Sequence, residues 1–181
     1  VDYWDYLGWK DRFASAAWSA RQREAVRRSG ARYSYTPQVM VNGRDFPRWS
    51  RPGSLPGATK GAPAGASLAL ALKTTPSSIT VTARAGITGR GSGDERLLVA
   101  VTESGLATDV KAGENRGERL AHDHVVRTLV DLGPAGAADE PRHRVFAIGR
   151  DWNRAALAVA AFVQDARTGE VLQALRLSCP P

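Results

Sequence analysis

The chain has a single cysteine, Cys179, among its 181 residues. One thiol cannot close an internal disulfide, and it supplies too few ligands for a structural zinc site. A fold held together by disulfides is therefore excluded. Because Cys179 lies so close to the end of the chain, we expect it to be exposed and incidental, or to pair with a cysteine that this chain does not contain.

Long apolar runs are also missing. None approaches the roughly 20 residues that a helix needs to cross a bilayer, so no membrane span is expected. The N-terminal residues, VDYW, have no initiator methionine and neither the basic region nor the apolar region of a signal peptide. We therefore expect that the chain has been processed or excised from a longer protein.

Positive charge is concentrated near the N-terminus. Residues 1–60 contain 11 Lys and Arg against 5 Asp and Glu, whereas the remaining 121 residues contain 14 against 13. Without an aromatic stacking platform or a recognised fold, such a basic segment does not indicate nucleic-acid binding, and a solvated helix face is the simpler interpretation. Binding of another polyanion stays open, and its candidate residues are Arg21, Arg23, Arg27, Arg28 and Arg32.

A helix is predicted from about residue 16 to residue 29. Ser15 is a good N-cap because its hydroxyl can accept from the free N–H groups of the first turn. Gly30 provides a left-handed stop after two basic residues that complement the helix dipole. The apolar residues that recur at helical spacing are Ala17, Trp18, Ala25 and Val26. Upstream, residues 1–4 are predicted to end a strand.

A hairpin is predicted after the helix. The apolar run at 38–41 is followed by Asn42-Gly43, which favours a type I′ turn, and the chain should return through residues 44–46. Proline and glycine then crowd residues 47–65 and exclude regular structure. We therefore divide the chain into an N-terminal unit (1–46), a linker (47–65) and a C-terminal domain (66–181).

The C-terminal domain shows the two-residue periodicity of β-strands. An antiparallel β-sandwich is the architecture that such short strands and turns favour. The glycine-rich stretch at 86–93 lacks the Lys and Ser/Thr of a phosphate loop and is interpreted as a hairpin loop. The predicted strands lie near 68–72, 79–83, 97–101, 125–132, 145–148, 157–163 and 171–177.

His122 and His124 form the one pattern that resembles a metal site. On a strand, two residues of this spacing face the same side. A stable zinc site usually needs three or four protein ligands, however, and only two imidazoles are present. We therefore expect a histidine pair in a loop or at the start of a strand, with no metal and no cofactor.

Several motifs resemble one family of secreted bacterial proteins, domain of unknown function family 1223. Its N-terminal motifs correspond to DYWDYLGWKD at 2–11, FAS at 13–15, ARQ at 20–22 and YTPQV at 35–39. A later motif corresponds to GEN at 113–115, Leu120, His122 and VVR at 125–127. The resemblance covers nearly the whole chain. Ala16 and His124 depart from it, since the family tends to have proline and asparagine there.

The resemblance implies an exported protein, periplasmic or secreted, with a thioredoxin-like N-terminal domain and a β-rich C-terminal domain. It also implies that a strand, a cysteine-containing loop and a helix precede Val1. A thioredoxin-type thiol needs that helix N-terminus to lower its pKa, so the chain as given is expected to be redox-inert.

The resemblance also places Thr36-Pro37 at the position of a cis-proline that helps to bind substrate backbone in thioredoxin-like folds. We therefore expect a cis bond at this position. The residues expected to contact a substrate are Thr36, Pro37, Trp4, Tyr6 and Trp9.

The predicted fold class is α+β, with a partial thioredoxin-like α/β unit followed by an antiparallel β-sandwich-like domain. The leading functional hypothesis is a binding module for an unidentified protein or small molecule. An incomplete sheet would also leave an edge through which the chain could self-associate. Two alternatives stay open: a thiol–disulfide oxidoreductase whose cysteine pair lies upstream, and a polyanion-binding module.

Overall fold

The computed structural model describes residues 1–54, 63–113, 115–136 and 140–180. A short 3₁₀ turn (Asp5–Leu7) precedes helix α1 (Ala16–Ser29) and a small hairpin of β1 (Met40–Val41) and β2 (Arg44–Asp45). A second 3₁₀ turn, Arg154–Ala156, precedes β10. The remaining strands are β3 (Ala66–Thr74), β4 (Ser78–Ile87), β5 (Glu95–Glu103), β6 (Leu106–Asp109), β7 (Arg119–His122), β8 (Val125–Pro134), β9 (Arg142–Ala147), β10 (Leu157–Asp165) and β11 (Val171–Ser178).

Two antiparallel sheets enclose one hydrophobic core, in a sandwich-like domain. The four-stranded sheet has the order β11-β10-β5-β8, and the three-stranded sheet has the order β3-β4-β9. Strands β5 and β10 pair in a register that places Val101 opposite Val159. Alternate residues of each strand point into the core, where Ile79 and Val81 of the smaller sheet are fully buried with Val99, Val101 and Val159.

The N-terminal unit lies against the four-stranded sheet and its β10–β11 turn. The Val171 N–H donates to Asn42 Oδ1 at 3.0 Å, and the Arg21 guanidinium donates to Gln164 Oε1 at 3.3 Å. At the hairpin tip, Gly43 lies so close to Gly169 that a Cβ atom would overlap the Gly169 carbonyl group. The hairpin tip therefore positions the N-terminal unit on the sheet.

The helix and the turn of the hairpin were predicted correctly. Helix α1 spans Ala16–Ser29, the Ser15 hydroxyl accepts from the Trp18 N–H, and Gly30 is left-handed with φ of 68°. Asn42 and Gly43 have the positive φ values, 50° and 76°, that a type I′ turn requires. The Thr36–Pro37 bond is cis, as expected. All seven predicted β-strands are present.

Three sequence-based expectations about the backbone were wrong, and one hairpin was missed. Residues 1–4 form no strand, since residues 3 and 4 lie in a turn, and the strand expected at 38–41 is limited to Met40–Val41. The glycine-rich stretch at 86–93 is not a hairpin loop, because β4 and β5 belong to different sheets. The hairpin of β6 and β7 was not predicted.

Cys179 is buried, which contradicts the expectation of an exposed terminal thiol. It is part of the hydrophobic core and is only 8% exposed. Its N–H donates to the Leu157 carbonyl at 2.9 Å and continues the pairing of β11 with β10. Strand β11 extends to Ser178, and Cys179 is the next residue. Cys179 is therefore held in the core although it lies near the end of the chain. Residues 55–62 of the expected linker and Glu114 of the later motif lie outside the described residues.

Candidate functional site

Trp4, Tyr6, Thr36 and Pro37 form an exposed surface on the N-terminal unit, here called the aromatic surface. The Trp4 indole Nε1–H donates to the Thr36 hydroxyl at 3.0 Å. The rings of Trp4 and Tyr6 lie 6.3 Å apart at 30° to each other. Trp4 is 45% exposed and Tyr6 is 76% exposed. The structure thus brings together four of the five residues that were predicted to contact a substrate.

Gln22 fixes the backbone beneath the aromatic surface. Its amide nitrogen donates to the Tyr35 carbonyl at 2.8 Å and to Gln38 Oε1 at 2.9 Å, while its amide oxygen accepts from the Tyr3 hydroxyl at 2.8 Å. The Tyr35 hydroxyl in turn donates to Asp45 Oδ1 at 2.8 Å. Burial, together with this bond to Asp45, raises the pKa of Tyr35. The Gln22 side chain therefore holds both the N-terminal segment and the segment around residues 35–38, which together carry the aromatic surface.

Ser19 ties the N-terminal segment to the helix. This buried hydroxyl donates to Asp2 Oδ1 at 2.5 Å and accepts from the Asp2 N–H at 3.1 Å. The bond from Ser19 lowers the pKa of the Asp2 carboxyl. Together with Gln22, this contact sets the position of Trp4 before any ligand arrives.

Trp9 does not join the aromatic surface. It is half-buried, and within the described ranges no ring contact links it to Trp4 or Tyr6. The adjacent Gly8 instead lies beside Ala112, in the loop between β6 and β7.

The five candidate arginines do not share one environment. Arg21 and Arg28 are half-buried against the four-stranded sheet, whereas Arg23, Arg27 and Arg32 are exposed. Glu24 forms ion pairs with both Arg27 and Arg28. The arginine cluster is therefore divided between a solvated side of α1 and a side that faces the β domain.

His122 and His124 have separate partners. Strand β7 ends at His122, and His124 occupies a left-handed turn with φ of 57°. His122 Nε2 lies 3.0 Å from the Thr108 hydroxyl, and His124 Nδ1 lies 3.3 Å from the Ser104 hydroxyl. Within the part of the chain that the structure describes, no three His, Cys, Asp or Glu side chains are placed to hold a metal ion.

A buried ion pair lies where the N-terminal unit meets the sheet, and sequence reasoning did not find it. Glu103, at the end of β5, is fully buried, and its Oε1 accepts from the Asn153 N–H at 2.8 Å. Its Oε2 has no hydrogen-bond partner among the described residues, and Arg127 Nε lies 3.5 Å away. This distance is that of an ion pair without a formed hydrogen bond.

Arg127 links this ion pair to several neighbours. It donates to Asp151 Oδ2 at 2.9 Å, which lowers the pKa of that carboxyl. Its guanidinium also lies over the rings of Trp152, at 5.0 Å, and Phe13, at 5.6 Å. Phe13 and Arg127 come from motifs far apart in the sequence, so this arrangement, the junction cluster, joins the two parts of the protein.

The structure therefore defines an α+β protein, in which a small helical unit with an exposed aromatic surface is fixed to a domain of antiparallel sheets. The chain belongs to the family described as protein of unknown function (DUF1223), whose sequence profile matches residues 1–164. A comparison with curated proteins found no match. None of the described helices combines the length and the apolar character required to cross a membrane.

Two of the similar solved structures come from the bacterium Porphyromonas gingivalis. HBP35 of Porphyromonas gingivalis is 18% identical, with a TM-score of 0.51, and the match covers 69% of this chain and 44% of HBP35. A domain of the outer membrane lipoprotein Omp28 from the same organism is 18% identical, with a TM-score of 0.47, over 65% of this chain and 90% of that domain. At this identity, the likeness to HBP35 concerns the fold.

Proposed function

We propose that the protein is an exported binding module whose aromatic surface binds an extended polypeptide. The observation that carries this proposal is the exposure of Trp4 and Tyr6 on a supported scaffold. Tryptophan and tyrosine offer large contact areas with few rotatable bonds, so little conformational entropy is lost when they bind. The N-terminal unit is proposed to be related to the second half of a thioredoxin-like domain, and export is inferred from the family resemblance.

Thr36 and Pro37 support a polypeptide ligand. Both residues are exposed beside the rings. A threonine hydroxyl is one donor and two acceptors; that of Thr36 accepts from Trp4, which leaves its O–H able to donate to a peptide carbonyl. An extended polypeptide presents both backbone groups and side chains. The Thr36 hydroxyl can bind the backbone groups, and the two rings can contact the side chains.

Replacing both Trp4 and Tyr6 with alanine is expected to weaken polypeptide binding by about tenfold or more, as the loss of aromatic hot-spot residues does. The probe is reduced, carboxymethylated α-lactalbumin, which stays unfolded, and its affinity is measured by isothermal titration calorimetry. Val145→Ala is the matched control, because Val145 is an apolar side chain, 60% exposed, on β9 of the other sheet. Equal affinities of the double variant and the control would refute the aromatic surface as the binding site.

The oxidoreductase alternative has a separate test. Burial raises the pKa of the Cys179 thiol, and a lone thiol has no partner to resolve a mixed disulfide. We therefore expect no insulin reduction by the 181-residue chain. We also expect Cys179 to react with Ellman's reagent much more slowly in the native than in the denatured protein. Insulin reduction that persists in a Cys179→Ser variant would mean that other residues carry redox chemistry.

Polyanion binding stays a second proposal, now limited to the exposed residues Arg23, Arg27 and Arg32. Arg27 already shares Glu24 with Arg28, which reduces the positive charge that this side of the helix offers. Binding through these residues would weaken steeply with salt, because phosphate or sulfate contacts release counterions.

A further inference from the structure

A groove separates α1 and the β1–β2 hairpin from the outer face of the four-stranded sheet. Its larger part has a volume of about 520 Å³ and is bordered by α1, the hairpin and strands β10 and β11. A second part of about 290 Å³ continues toward β5 and β8. Arg21, Arg28 and Gln164 line both parts. The larger part alone is within the size range of small-molecule sites in proteins.

The charges in this α1 groove are unbalanced. Arg28 pairs with Glu24 at 2.9 Å, and Arg96, at the far end, pairs with Asp131 at 2.9 Å. Arg21 is half-buried between them. Its one side-chain hydrogen bond goes to the neutral Gln164, and across the described residues no carboxylate lies within ion-pair distance of it.

An uncompensated cation in this position has a physical cost. Burying a charge is unfavourable unless a group of opposite charge lies beside it. Burial, together with the nearby positive charge of Arg28, lowers the pKa of Arg21. An anion in the groove would compensate the charge of Arg21 and so offset both its burial and its repulsion by Arg28. The groove has space for such an anion.

Much of the remaining lining of the larger part is apolar, although Asn42 and Glu24, the ion-pair partner of Arg28, also border it. Phe162 on β10 and Val171 on β11 form the floor of the larger part, and Met40 and Ala25 face it from the N-terminal unit. We infer that the α1 groove is a binding site for an organic anion with an apolar tail. Its carboxylate or phosphate head contacts Arg21 and Arg28, and its tail lies along Phe162 and Met40. This site is separate from the aromatic surface.

The test compares three probes that share one ten-carbon tail: decanoate, decyl phosphate and decanol. Calorimetric titrations keep the two anions below their micelle concentrations and decanol below its solubility limit. Saturable binding of at least one anion is expected, with decanol at least tenfold weaker, because only an anion can pair with a guanidinium. The preferred head group then distinguishes a carboxylate from a phosphate ligand. Equal affinities for all three probes, or no binding of either anion up to about 1 mM, would overturn the inference.

Arg21→Gln is expected to weaken anion binding roughly tenfold or more and to leave decanol binding unchanged, because it removes a charge-assisted hydrogen bond. Arg23→Gln is the matched control, since it removes the same charge from the exposed side of the same helix and should bind as the wild type. If Arg21→Gln and Arg23→Gln behave alike, the groove is not the site. The probe series on the wild-type protein needs no variant and remains decisive if Arg21→Gln does not fold.

Discussion

Replacing Arg127 with alanine is expected to lower the free energy of unfolding by about 3–5 kcal/mol, the range seen when one partner of a buried ion pair is removed. Glu103 is fully buried, and Arg127 is the cation beside its Oε2 atom. The variant would leave that carboxylate without a compensating charge. It would also remove the contacts of the guanidinium with Trp152 and Phe13. Urea denaturation monitored by circular dichroism measures the loss.

Arg119→Ala is the control for this experiment, since Arg119 pairs with Asp109 at 3.3 Å and both side chains are exposed. Exposed pairs contribute between about 0 and 1 kcal/mol. Adding Glu103→Gln to the Arg127→Ala variant should recover part of the lost stability, because the unpaired charge is then gone. A loss for Arg127→Ala no larger than that for Arg119→Ala would contradict the importance of the junction cluster.

Replacing Gly43 with alanine is expected to loosen the contact between the N-terminal unit and the sheet. A Cβ at this position would overlap the Gly169 carbonyl group and lie 2.8 Å from the Glu170 nitrogen. All of these are backbone atoms, so the neighbours cannot move aside as a flexible side chain could. Forced overpacking typically costs about 1–3 kcal/mol, in addition to the cost of a left-handed alanine.

Gly30→Ala is the control that separates the steric cost of the Gly43→Ala substitution from the cost of its positive φ. Gly30 is also left-handed, with φ of 68°, and a Cβ there meets nothing within 4 Å. Both variants lose stability from the unfavourable φ, about 1–2 kcal/mol each, and only Gly43→Ala also meets the sheet. Equal losses in thermal or urea unfolding would show that the close approach of Gly43 and Gly169 does not hold the two parts together.

Local patterns predicted those parts of the fold that local physics determines. Ser15 and Gly30 bound the helix because capping depends on only a few neighbouring residues. Asn42-Gly43 determines its own turn through positive φ. The alternation that identified the long strands likewise follows from burial of one face. Each of these elements is determined by residues that lie close together in the sequence.

The wrong predictions concern features that are determined by residues far apart in the sequence. Cys179 is buried because β11 pairs with β10, which no terminal sequence pattern indicates. The stretch at 86–93 has the composition of a tight turn, yet it crosses between sheets, and composition does not tell which strands will pair. Strands β6 and β7 have four residues each, too few for a clear two-residue periodicity.

The candidate site was predicted in part. The motif resemblance identified Trp4, Tyr6 and Thr36, and the structure places them together. Trp9 belongs to the same motif but makes no ring contact with Trp4 or Tyr6 among the described residues, because proximity in the sequence does not by itself set the direction of a side chain. The Glu103–Arg127 pair and the α1 groove could not be predicted, since each joins residues separated by a strand or more.

Backbone and indole amide chemical shifts, recorded while carboxymethylated α-lactalbumin is titrated, test the proposed binding surface most directly. We predict saturable shifts for the Trp4 indole N–H, which bonds Thr36, and for the amides of Tyr6 and Thr36. The amides of β9, on the opposite sheet, should not move. Shifts confined to β9 or spread evenly over the protein, with the Trp4 indole signal unchanged, would contradict the proposal that this surface binds polypeptide.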